Sequence, residues 1–141
     1  MTKKENVRKI SEISPRLLAH LGDAVFHLFE REREIMTASS VKEAHRRARV
    51  DASAQADLLD AINDQLTEAE LEIVRRARNV KPASSHRSDQ GVYRKATAFE
   101  ALLGYLHLTD RERLQTILHL TMPTSGGDSD VEGEDGAGHN P

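Results

Sequence analysis

The sequence predicts an all-α fold, with helices throughout one body and no strands. Ala, Leu, Glu and Arg are abundant and β-branched runs are few, a composition that favours helix. Glycine and proline are sparse before residue 123. Apolar residues recur at helical rather than alternating spacing, behind side chains suited to cap a helix.

The elements follow in order. Ser14 as N-cap with Pro15 at the first helical position opens a helix to about Glu34. Ser39 or Ser40 caps a second one through about Arg47, and a third covers roughly Ala52 to Asp64. Thr67 and Glu70 form a capping-box pattern for a fourth that ends near Asn79. The stretch NVKPASSHRSDQGV, rich in Pro, Ser, Gly and charge, reads as a loop. A fifth helix from about Tyr93 to Leu108 and a sixth from about Asp110 to Leu120 complete the body. The organisation is a short extension over residues 1–13, one domain over 14–122 and an acidic tail over 123–141, whose composition predicts disorder.

The chain has 141 residues and no cysteine, which excludes disulfides, a zinc ribbon and a thiol nucleophile and suits a reducing, cytoplasmic setting. The basic start is not followed by an apolar stretch, and FEALLGYLHL is short and carries Glu100 and His107, so neither secretion nor membrane insertion is expected. The formal charge of −3 is unevenly distributed: the tail holds five acids and no Lys or Arg, which leaves 20 basic against 18 acidic groups in the body. Between Arg75 and Lys95 lie Arg75, Arg76, Arg78, Lys81, Arg87, Arg94 and Lys95 against one acid, Asp89, a candidate polyanion contact that includes Asn79. Its plainer reading is a solvated helix end whose cations offset the macrodipole. His45, Arg46, Arg47 and Arg49 form a second basic cluster, which is equally well a charged helix face.

Two helices carry a carboxylate in an apolar setting. On the first, Leu17, Leu18, Leu21, Ala24, Val25 and Leu28 fall on one arc, read as core or dimer contact, with Ala19, Phe26 and Asp23 on the opposite side. On the fifth, Phe99, Leu102, Leu103 and Leu106 share a face, and Glu100 lies opposite with Tyr93, Thr97, Ala101, Gly104 and Leu108. Helices apolar nearly all round are central, and a carboxylate there needs a cation, a donor or a proton. Two such acids suggest hard oxygen ligands for magnesium, which keeps several waters and takes one or two protein carboxylates. Gly22 and Gly104 would admit close approach of helix backbones and of an RNA strand. The plain alternatives are a salt-bridged Asp23 and a Glu100 paired with Arg94 or Lys95, while His20, His27 and His107 read as packed or surface histidines.

The segment LLAHLGDAVFHLFERE resembles the signature helix of ribonuclease III catalytic domains, and TAFEALLGYLHL resembles their second acidic helix. Together with RRARNVK and the lack of an attached double-stranded-RNA-binding domain, they resemble the compact Mini branch of that family over most of residues 14–120. The resemblance implies a ribonuclease III-like helical domain with Asp23 and Glu100 as metal ligands. Further acids of the full-length enzymes would fall at Arg16, Ala19 and Thr97, where this chain has none, as suits the Mini branch.

It further implies a homodimer that sets two centres across one RNA duplex. The cofactor would be magnesium, with manganese as a substitute, and the products would carry 5′-phosphate and 3′-hydroxyl ends. The implied task is maturation of precursor 23S ribosomal RNA, with room for a ribosomal-protein helper. Two other readings compete: a structured-RNA-binding module of the same fold that does not cut, motivated by Ala19 and Thr97, and a scaffold for protein partners, which explains neither carboxylate.

Overall fold

A computed structural model describes residues 9–81 and 90–123, and in these the chain is helical with no strand. Six α-helices follow a short 3-10 turn at Ile10–Glu12: α1 (Pro15–Ile35), α2 (Val41–Arg47), α3 (Ala52–Ile62), α4 (Glu68–Arg78), α5 (Gln90–Thr109) and α6 (Arg111–Leu120). A second 3-10 turn, Asn63–Gln65, prolongs α3.

The starts are set by local chemistry. Ser14, Ser40, Asp51, Thr67 and Asp110 each accept a backbone N–H of the first turn through a side-chain oxygen. Thr67 and Glu70 close the reciprocal capping box. Helix α5 starts at Gln90, ahead of the Tyr93 expected, and so takes in the last residues of the segment read as loop. Ile13 packs against the core from outside α1. The acidic tail lies outside the described residues.

Helix α5 is the axis of the molecule and packs against α1, α3, α4 and α6. Ala96, Thr97, Ala98, Phe99, Ala101, Leu102, Leu103, Gly104 and Leu106 are all buried, so the helix is covered on nearly every side. The Phe26 and Phe99 rings meet edge to face at 5.1 Å and tie α1 to α5.

The buried face of α1 differs from the leucine arc. Leu18, Ala19, Gly22 and Phe26 turn inward, whereas Leu17 is 50% exposed, Leu28 is 60% exposed and Ala24 is also exposed. The reason is close backbone packing. A Cβ at Gly22 would lie 1.7 Å from the Glu100 carbonyl oxygen, and one at Gly104 would lie 2.0 Å from that of Leu18. Contact that tight selects the face of α1 that carries Gly22 rather than the most apolar one. It also fills the space over both glycines with the facing helix, so the expected approach of an RNA strand at those points does not occur.

Toward its C-terminus the inner face of α1 carries Glu30 and Glu34, both buried. Glu30 accepts from Arg33 and Arg49, and Arg49 also donates to the Thr121 carbonyl. Glu34 pairs with Arg33 at 2.8 Å and with Arg47 at 2.7 Å, the latter off the line of a well-formed hydrogen bond. Arg47 and Arg49 of the second basic cluster are therefore turned inward to structural partners, because two buried acids demand counter-charges.

Candidate functional site

The reciprocal glycine contact sets the distance between the acids. Gly22 rests on the backbone of Glu100, so the next residue of α1, Asp23, emerges beside the Glu100 side chain. The two carboxyls lie near enough to act on each other. The Asp23 side chain is 50% exposed and Glu100 is half-buried, and the pair forms an acidic notch at the seam of α1 and α5.

Burial pushes the Glu100 carboxyl up to about 8, with the hydrogen bond and the negative charge of Asp23 adding to the rise and Gln55 opposing it. Without a cation, the closest arrangement of the two acids is one in which Glu100 keeps a proton. Two neighbouring carboxyls, one of them held in a poorly solvated place, suit a divalent cation between them, and all-oxygen donors suit magnesium or manganese. A hard cation that keeps most of its waters needs only one or two protein carboxylates, the number this pair supplies.

Three positions where fuller enzymes of the resembled family carry acids are now located. Ala19 and Thr97 are buried on the facing helices, and Arg16 is exposed and donates to the Lys81 carbonyl, tying the start of α1 to the segment after α4. The plain alternatives for Glu100 fail, since Lys95 pairs with Asp60 at 3.0 Å and Arg94 donates to the Arg78 carbonyl. For Asp23 the partner is His27, one turn along, with Nε2 3.2 Å from Oδ1. His20 is exposed and His107 half-buried.

Sequence reasoning missed Gln55. It lies on the inner face of α3 with Ala56, Leu59 and Ile62, is 2% exposed and has its Nε2 buried with no well-aligned partner. The signal was available, since a glutamine at a core register of an amphipathic helix calls for an explanation.

Of the residues expected to contact polyanions, Arg75, Arg78, Asn79, Arg94 and Lys95 converge on one open groove of about 590 Å³ between the end of α4 and the start of α5. Arg75 is ion-paired with Glu72. Arg76 is half-buried outside this groove, Lys81 is exposed, and Arg87 lies outside the described residues. Lys95 precedes Glu100 on the same helix by roughly 8 Å of axial rise and about 140° of rotation, so the groove and the two acids open on different sides of α5.

Residues 16–111 match the ribonuclease III domain. The Mini-ribonuclease 3 of Gloeobacter violaceus is 46% identical over 114 residues, which span 79% of this chain and 84% of the relative. That of Brevibacillus brevis is 38% identical over 135 residues, 92% of this chain and 100% of the relative. A crystal structure of a protein from Fusobacterium nucleatum superposes with a TM-score of 0.70 at 27% identity and covers 81% of this chain and 95% of its own. The chain belongs to the ribonuclease III family of endoribonucleases, in its Mini-ribonuclease 3 branch.

Proposed function

We propose that the protein cleaves double-stranded RNA with a divalent metal, magnesium or manganese, held by Asp23 and Glu100, and that its cellular substrate is precursor 23S ribosomal RNA. The observation that carries this reading is the approach of Asp23 and Glu100 across the close Gly22–Gly104 contact of α1 and α5. When bound, the metal supplies an activated water and a counter-charge for the leaving oxygen. The chain's own part is to present two oxygen donors, to release the Glu100 proton as a cation arrives and to align the phosphate backbone. Arg75, Arg78, Asn79, Arg94 and Lys95 line the groove suited to that backbone, with Arg76, Lys81 and Arg87 extending the basic segment. Duplex RNA is recognised largely by shape, phosphate and 2′-hydroxyl contacts, and a groove rich in guanidinium groups matches this demand.

A homodimer belongs to the same reading, with one centre for each strand. The exposed Leu17 and Leu28 of α1 support it by offering apolar surface that the monomer leaves in solvent.

The test uses the full chain, a labelled RNA duplex and magnesium, with sedimentation velocity on the same samples. Wild type should cut and sediment as a dimer, while Asp23→Asn and Glu100→Gln should lose cleavage by at least about a hundred-fold, a loss of the size of a removed transition-state interaction, and still bind the duplex. Ala19 and Thr97, buried without a carboxylate on the two facing helices, favour a second reading, a structured-RNA binder that does not cut. Intact RNA after long incubation, with salt-sensitive binding by all three proteins, would establish that reading instead.

A further inference from the structure

We propose that the groove between α4 and α5 has a second occupant besides RNA: the chain's own acidic segment, residues 124–141, seats its carboxylates there and competes with the duplex. The inference rests on the reading of this groove as a contact for the phosphate backbone and adds a competitor to it.

Charge complementarity is the first support. Arg75, Arg78, Arg94 and Lys95 line the groove, and no Asp or Glu does. Glu72 pairs with Arg75 and Asp60 with Lys95, whereas Arg78 and Arg94 have no carboxylate partner among the described residues. Two guanidinium groups in a concave place are left for an anion. The segment after Pro123 carries Asp128, Asp130, Glu132, Glu134 and Asp135 with no Lys or Arg. Its first four acids alternate with uncharged residues. In an extended chain that pattern sets them on one side at intervals of roughly 7 Å, a spacing of the same order as successive phosphates along a nucleic-acid strand.

Reach is the second. The carbonyl of Thr121, which caps the end of α6, accepts from Arg49. The Arg49 guanidinium lies 5.9 Å from the centroid of the Phe26 ring, and Phe26 packs on Phe99. The chain thus leaves the body near the middle of α5, and Gly91, Arg94 and Lys95 lie about 6 to 12 Å from Phe99 toward the start of that helix. Asp128 is five residues beyond Pro123 and Asp135 is twelve, spans of up to roughly 17 and 40 Å. A tether this short holds the acids near the groove at an effective concentration on the order of millimolar. Because the groove and the metal-binding acids open on different sides of α5, a segment seated in the groove opposes RNA without covering Asp23 and Glu100.

The chain has no cysteine, so a nitroxide on Ser129→Cys in the full-length protein reports from one place. At low salt it should broaden the amide signals of Asn79, Gly91, Arg94 and Lys95, and an added RNA duplex should restore them. Duplex binding is then measured from about 50 to 200 mM salt on four full-length proteins: wild type; a variant carrying Asp128→Asn, Asp130→Asn, Glu132→Gln, Glu134→Gln and Asp135→Asn; Arg78→Glu, whose side chain is exposed; and the two sets combined. The neutralised variant should bind more tightly by roughly three- to ten-fold at the low-salt end. Its salt dependence should be steeper, because RNA then displaces counterions rather than carboxylates. The gain should vanish in the presence of Arg78→Glu, and manganese affinity should not change. Broadening at α2 around Arg46, or nowhere, would overturn the inference, and so would broadening seen only between differently labelled copies. A gain that survives Arg78→Glu would also overturn it, as plain long-range repulsion. Each of these outcomes leaves the groove's contact with RNA standing. Unchanged duplex affinity in Arg78→Glu alone would remove that contact and the competition together.

Discussion

Glu100 is ionised above about 4.5 in an unfolded chain and keeps its proton to about 8 in the metal-free fold. Between those values the folded state binds more protons than the unfolded one, so this group's contribution to stability falls as pH rises through the window and is level outside it. A cation that binds the ionised pair must displace the proton. Near neutral pH, magnesium or manganese binding should therefore release close to one proton, with the release fading above about pH 8. Calorimetry in two buffers of different ionisation enthalpy reads this directly. Asp23→Asn removes the neighbouring charge and should shrink both the release and the pH slope of stability. A release that stays constant well above pH 8 would contradict the coupling.

Helix packing is where the acidic notch is won or lost. The α1–α5 contact runs backbone to backbone at Gly22 and Gly104, and a methyl group at either would overlap a carbonyl oxygen of the facing helix. Because that oxygen belongs to a rigid helix, the helices must separate. Gly22→Ala or Gly104→Ala should cost about 3 kcal/mol or more, lower the thermal midpoint by roughly 10 °C and weaken metal binding by moving Asp23 away from Glu100. Gly91, in the first turn of α5, is the control, since nothing among the described residues lies within 4 Å of its would-be Cβ. Gly91→Ala should be neutral or stabilise by up to about 1 kcal/mol. Differential scanning calorimetry on the three variants separates overlap from helix propensity.

Across the molecule, the buried acids Glu30 and Glu70 anchor arginines that tie one helix to the segment beside another. Arg49 joins Glu30 of α1 to the carbonyl of Thr121 after α6, and Arg113 of α6 joins Glu70 of α4 to the Gln65 carbonyl. Burial by itself would raise Glu30, but hydrogen bonds from Arg49 and then Arg33 outweigh it and hold the carboxyl at about 2. Glu70 is lowered in the same way, with Arg113 overcoming the effect of burial. For groups depressed in the fold, stability is present above the ordinary carboxylate range and is lost as pH falls, here between about 4.5 and about 2 for Glu30. Arg49→Met leaves a buried carboxylate with one cation fewer and should cost about 3 kcal/mol near neutral pH. The deficit should narrow toward pH 3 as the unpaired acid takes up a proton, a trend that urea unfolding across that range would reveal.

Local chemistry was legible in the chain itself. Caps at Ser14, Thr67 and Asp110 depend on neighbours within three residues, and so the helices could be bounded from sequence, with α5 misjudged only at its start. Asp23 and Glu100 stood out as charges in apolar stretches, and their segments resembled one family. What sequence could not decide was which face of each helix meets another. The leucine arc of α1 has the stronger apolar signal, yet α5 takes the Ala19–Gly22–Phe26 side because two glycines permit contact there. Arg47 and Arg49 looked like a solvent-facing cluster until buried Glu34 and Glu30 claimed them. Gln55 proved to be buried only when α3 was laid against α5. Periodicity and capping are properties of consecutive residues, whereas burial, counter-charge and the meeting of distant carboxyls arise only when helices far apart in the chain pack together.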